Sequence, residues 1–252
     1  GHRYEEHGSR DEPTSTMGVA MLFGCLFVSL ALPTAVFFIS VASSAKLVIL
    51  MFGAAFVWLL AALATSIVWI AVVPLKDDNW FALIFAVVFQ EAFRYGYWRL
   101  LKKAEKGLNI LGDDGSGSMS STKLAMVAGL GFGTMSTVMQ INQVLEEAAG
   151  PGSIPAPGCD QHSIFFISSI TVACFGALNI LWSVIMHYGL DNDSKINIWL
   201  APVTHFFASM LTLNNADGGP CTGTLVPLYL LLLGLSAYTW KLLGLHVAPS
   251  KA

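Results

Sequence analysis

QEAFRYGYWRLLKKAEKGL, residues 90–108, decides how this chain folds. Glu91 and Arg94 stand partway along an apolar run that opens near Trp80, and the run ends in a basic cluster of Arg99, Lys102, Lys103 and Lys106. Ionisable groups at such depth in an apolar helix are costly and tend to serve a purpose. Their i,i+3 spacing lets both lie on one helical face and neutralise each other. The basic cluster marks the side of a membrane on which the helix ends.

Working outward, the whole chain has the composition that such a helix needs. It is 55% apolar and 12% charged over 252 residues, against about 25% charged in an average soluble protein. Seven stretches satisfy the apolar-run criterion for crossing a bilayer: Gly18–Val41, Leu47–Val73, Trp80–Leu101, Lys123–Leu145, Ser163–Tyr188, Ile196–Leu213 and Thr224–Leu245. The expected fold is therefore an all-α integral membrane protein, a seven-transmembrane-helix bundle embedded in the lipid bilayer. A net charge of −3 spread over loops, with no basic groove, argues against nucleic acid as a partner.

Residues 1–16, GHRYEEHGSRDEPTST, read as a disordered prefix resembling an expression tag. Residues 17–246 then form the membrane domain and 247–252 a cytosolic tail. The first span is too long for a cleaved signal peptide and is expected to be retained as a signal anchor. Lys and Arg are distributed unevenly: nine of thirteen fall on the side of the basic cluster and three on the other. This bias places the amino terminus in the lumen or outside the cell, and the carboxyl terminus in the cytosol. Residues 112–122, GDDGSGSMSST, read as a flexible linker, and 150–158, GPGSIPAPG, cannot be helical. Asn192-Asp193-Ser194 is a glycosylation sequon on the side assigned to the cytosol, so a glycan there would invert the topology.

Cys25 and Cys174 lie inside spans and read as small apolar core residues. Cys159 and Cys221 lie in the two loops assigned to the oxidising side, where a disulfide between them can form but is not required by the sequence. No cysteine pair has metal-ligand spacing, and neither a metal nor a cofactor is implied. In the fourth span Gly129, Gly133 and Thr137 recur at four-residue intervals, which allows close helix approach. That contact could lie within the chain or against another subunit. Asn179 and His205 are polar groups at mid-depth of the fifth and sixth spans, expected to hold those spans together. Pro202 favours a kink beside His205. His187 reads as an interfacial residue.

QEAFRYGYWRLLKKAEKGL, the glycine-paired GLGFGTMSTVM (129–139) and the spacing from Trp182 to His205 resemble the anterior-pharynx-defective family, the seven-span scaffold subunit of gamma-secretase. MGVAMLFGCLFV (17–28) and VWLLAALATSIVWI (57–70) are similar to it as well, so the resemblance runs from Met17 to about Leu245. It implies a non-catalytic assembly role with nicastrin, presenilin and the presenilin-enhancer subunit as partners. Presenilin supplies the catalytic aspartates of that complex. The resemblance also implies location in the endoplasmic reticulum, Golgi and plasma membrane. Two positions depart from the family pattern: Thr137 stands in place of the third glycine, and Asn179 in place of the first of two buried histidines. Asn can donate and accept hydrogen bonds but does not titrate.

An enzyme is the alternative, because the arrangement also resembles intramembrane glutamate proteases that act on prenylated proteins, with Glu91 as the base. Their pattern is paired glutamates followed by Arg, then Phe-xxx-His and His-xxx-Asn. Here those positions read Gln90-Glu91 with Tyr95, Phe175-xxx-Asn179 and His205-xxx-Ser209. Activating water requires a base and a partner that stabilises charge, and these replacements remove most of that machinery. A retinal protein or receptor is disfavoured: the seventh span has no mid-depth Lys for a Schiff base, and no Asp-Arg-Tyr closes the third.

Overall fold

Hydrocarbon offers a peptide backbone no hydrogen bonds, so a chain this apolar must satisfy its own amides, and the helix does so within each segment. A computed structural model describes residues 12–72, 79–111, 120–148, 155–156, 159–216 and 220–244. These form seven helices: α1 (Glu12–Ser40), α2 (Ala45–Ala71), α3 (Asn79–Leu111), α4 (Ser121–Ala148), α5 (Ile164–Asp191), α6 (Lys195–Ala216) and α7 (Cys221–Leu242). Two short strands, β1 (Pro155–Ala156) and β2 (Cys159–Ser163), pair antiparallel just before α5. They are an addition to the all-α expectation; β1 lies in the proline-rich stretch that could not be helical and β2 follows it. Residues 1–11 of the expected prefix, most of the 112–122 linker and the 247–252 tail lie outside the described residues; α1 begins within the expected prefix, at Glu12.

Six of the helices are long and apolar enough to cross a membrane, and the chain is a multi-pass membrane protein. The exception to the expected seven spans is α3. Its 33 residues make it the longest helix, about 50 Å at 1.5 Å per residue. Gln90, Glu91, Arg94 and the basic cluster dilute its apolar character. The helix also continues beyond the expected end at Leu101, carrying that cluster on its last turns. There Asp191 at the end of α5 accepts the Trp98 indole N–H at 2.9 Å and the Ser121 hydroxyl, and pairs with Lys102 at 3.1 Å. One carboxylate thus ties the ends of α3, α4 and α5.

α4 and α5 run through the middle of the bundle. α5 touches α1, α4, α6 and α7, α4 also touches α1 and α2, and α3 lies against α2 and α6. Trp182, Leu178 and Ile185 of α5 pack with Ala201 and Ala208 of α6 and Leu228 of α7. Trp58, Tyr97 and Phe132 join α2, α3 and α4. Lipid is as apolar as these side chains, so van der Waals fit and polar contacts, not exclusion from water, hold the helices together.

The fit is tightest where α4 carries small residues. A Cβ at Gly133 would lie 2.5 Å from the Gly176 carbonyl oxygen of α5, and one at Gly129 would lie 2.7 Å from the Ile180 Cα. Gly131 faces the other way, against Met51 and Ala54 of α2. The close contacts of Gly129 and Gly133 are therefore internal to this chain. Thr137 is fully buried on the same face, and its hydroxyl has no partner among the described residues. Thr137→Val keeps the shape and removes the stranded hydroxyl, so it should raise stability by about 1 kcal/mol. Thermal unfolding of the purified variant in detergent checks this; a lower midpoint would mean that the hydroxyl has a partner.

Candidate functional site

The polar residues at the centre of the bundle converge from α3, α5 and α6. On α3, Glu91 and Arg94 are one turn apart and both buried, with Glu91 Oε1 at 3.4 Å from Arg94 Nη2. The same carboxylate oxygen lies 2.6 Å from His205 Nδ1 on α6. A carboxylate can only accept, so Nδ1 carries the proton and Nε2 is the imidazole's acceptor when the ring is neutral. Arg94 reaches on to α5: Nη1 donates to the Asn179 carbonyl and to Ser183 Oγ, each at 3.1 Å, and Nη2 donates to Asn179 Oδ1 at 2.8 Å. The Asn179 amide nitrogen donates to the Phe175 carbonyl at 3.0 Å, which orients its oxygen towards the guanidinium.

Aromatic rings enclose the charges. The guanidinium carbon sits 5.1 Å from the Phe132 ring centroid and 5.8 Å from that of Trp182, distances at which the ring faces attract a cation. Trp182 also stacks on His205, with centroids 4.1 Å apart and planes 21° from parallel. Its indole N–H donates to Thr204 Oγ1 of α6 at 3.0 Å. Beside this centre Gln90 Oε1 accepts from the Trp58 indole at 3.3 Å. Glu91 Oε2 and Arg94 Nε are buried without a partner among the described residues. A cavity of about 500 Å³ adjoins the centre, with Gln90, Asn179 and His205 on its wall.

Asn179 and His205 thus sit close to one another but do not bond to each other. Asn179 Oδ1 and His205 Nδ1 both bond to α3, and Trp182 links α5 to α6 by its stack on His205 and its hydrogen bond to Thr204. Ser183 escaped sequence reading, although it stands four residues after Asn179 and so shares its face. His187, expected at the interface, is buried at 2% exposure, with Nε2 unpartnered among the described residues. Cys25 and Cys174 are free and buried, and Cys221 is disulfide-bonded. The side chain of Cys159 lies outside the described residues. Among the described residues no cluster of His, Cys, Asp or Glu could hold a metal ion.

The arrangement can do two things chemically. It holds a compensated ion pair in a low-dielectric interior, and through it joins three helices that lipid alone would not bring together. A polytopic membrane protein locked around a buried charged centre is the class that fold and site define. The family model described as "Aph-1 protein" matches residues 20–246. The chain is 36% identical over 202 residues to the gamma-secretase subunit Aph-1 of Drosophila melanogaster, covering 80% of this chain and 84% of that protein. It is 33% identical over 239 residues to the gamma-secretase subunit Aph-1b of Danio rerio, covering 90% of each. With the APH1-like gamma-secretase subunit of Arabidopsis thaliana it shares 30% over 223 residues, 85% of this chain and 89% of that protein. The chain belongs to the Aph-1 family.

Proposed function

We propose that the chain is a non-catalytic scaffold subunit of a gamma-secretase, assembled with presenilin, nicastrin and the presenilin-enhancer subunit in the membranes of the endoplasmic reticulum, Golgi and cell surface. The observation that carries this reading is the near full-length match to proteins that are themselves named gamma-secretase subunits. The site geometry supports the absence of catalysis. An intramembrane glutamate protease needs a second carboxylate and charged or titratable partners around its base, whereas here Gln90, Tyr95 and Asn179 stand at those positions and Glu91 Oε1 is held by Arg94 and His205.

In this reading α3 is the seventh span. Glu91 and Arg94 lie inside the bundle, so the charges in the middle of the helix do not face lipid. The amino terminus is lumenal and the carboxyl terminus cytosolic, and Cys159 is the partner of Cys221 on the lumenal side. Gly129, Gly133 and Thr137 serve assembly indirectly, by bringing α4 and α5 together. Affinity purification of the tagged chain from its native membrane tests the proposal. Presenilin and nicastrin should co-purify, and Asn192 should carry no glycan. A lone chain that cleaves a prenylated peptide would overturn the scaffold reading, and glycan on Asn192 would overturn the orientation.

A further inference from the structure

The cavity beside the charged centre has a definite place in the bundle. Its lining comes from the first half of α3, the second half of α4, the first half of α5 and the second half of α6, and it reaches Cys221 at the start of α7. Successive helices run in opposite directions, so all these parts lie at one end. The cavity's inner end is at Gln90 and His205, beside the charged centre.

Three properties define what would fill it. No Lys, Arg, Asp or Glu is among its described lining residues, and Glu91 and Arg94, which adjoin it, already compensate each other. A phosphate, carboxylate or ammonium entering it would be an unpaired charge in a poor solvent. The inner end nevertheless offers hydrogen bonds. The Asn179 side chain is committed to Arg94 and Phe175. Gln90, whose oxygen is taken by Trp58, keeps its amide N–H groups to donate. His205 is 3% exposed and lines the cavity, and with Nδ1 held by Glu91 its Nε2 is left to accept. A donor and an acceptor lining the same cavity match the two hydrogen-bonding functions of a hydroxyl group. The walls above are mainly apolar, with Leu83, Val87 and Ile167 among them. A volume of about 500 Å³ falls within the ~300–1,000 Å³ of small-molecule sites, and is too small for a two-chain phospholipid.

We propose that this cavity binds a neutral single-chain lipid with a hydroxyl headgroup, the headgroup bonded to Gln90 and His205 and the chain lying between α3 and α5. The site does not depend on the scaffold reading, since it would bind such a lipid in the isolated chain or in a complex.

The test uses the full-length protein in phosphatidylcholine nanodiscs with a monoacylglycerol that carries a photoactivatable diazirine on its acyl chain. Labelled peptides should map to residues 83–90 of α3 and 164–172 of α5. Excess monoolein should suppress this labelling, and equal concentrations of oleate and oleylamine should leave it. Gln90→Met removes the donor at similar volume and should weaken monoolein competition by about ten-fold, one hydrogen bond's worth. Ser168→Leu should fill the wall and abolish the labelling, with the thermal midpoint showing that each variant is folded. Labelling confined to the outer faces of α1 and α2 would overturn the proposal. So would equal competition by oleate or oleylamine, a Gln90→Met variant that binds as wild type does, or no labelling at all, which would mean that the cavity holds only water.

Discussion

Glu91→Ala is expected to destabilise the protein by about 3–5 kcal/mol, the cost of stranding one member of a buried ion pair. Arg94 would keep its bonds to Asn179 and Ser183 but lose its counter-charge, and His205 Nδ1 would lose its acceptor. Glu91→Gln combined with Arg94→Met should cost less. Gln still accepts from His205, no net charge is left inside, and release from the desolvation cost of two buried ions offsets the three hydrogen bonds lost at Asn179 and Ser183. The ordering can be read from detergent-titration unfolding of the two variants. Equal losses would show that the pair's charge is irrelevant and that only its volume matters. The same ordering should appear in the yield of any complex recovered with the chain.

Gly131→Ala and Gly133→Ala are the second pair of large effects. Each added methyl group meets backbone, which cannot rotate away. At Gly133 it meets the Gly176 carbonyl oxygen at 2.5 Å, and at Gly131 the Met51 carbonyl and, at 3.0 Å, the Ala55 nitrogen. The helices must separate, at about 1–3 kcal/mol or more. Gly96→Ala is the control, because nothing lies within 4 Å of the added carbon and the alanine should stabilise its helix by about 0.5–1 kcal/mol. Thermal midpoints of the three variants should fall, fall and rise. A rise for Gly133→Ala would mean that α4 and α5 are not packed as described.

Helix positions were legible because the apolar runs are long and their boundaries polar: α2, read as Leu47–Val73, is Ala45–Ala71. α3 was legible as a helix but not in its length, since basic residues that mark a membrane surface do not stop a helix whose interior lacks proline. The Glu91–Arg94 pairing follows from periodicity within one helix. What Asn179 and His205 bond to does not follow, because it depends on how three helices rotate against one another. Sequence spacing places each on a face and leaves open which helix that face meets. The cavity was illegible for the same reason: its wall is assembled from five helices, and no local pattern records their separation.

The charged centre also imposes an order on biogenesis. Arg94 and Asn179 are 85 residues apart, and Glu91 and His205 are 114 apart. At about 5–20 residues per second of synthesis, α3 leaves the ribosome roughly 5–25 seconds before its partners exist. During that interval the least apolar helix has its own Glu91–Arg94 contact and, once α4 is made, the Phe132 ring to offset two charges in or near lipid. The remaining polar partners of Glu91 and Arg94 are therefore supplied only when α5 and α6 arrive, so closing the centre is a late step in building the bundle.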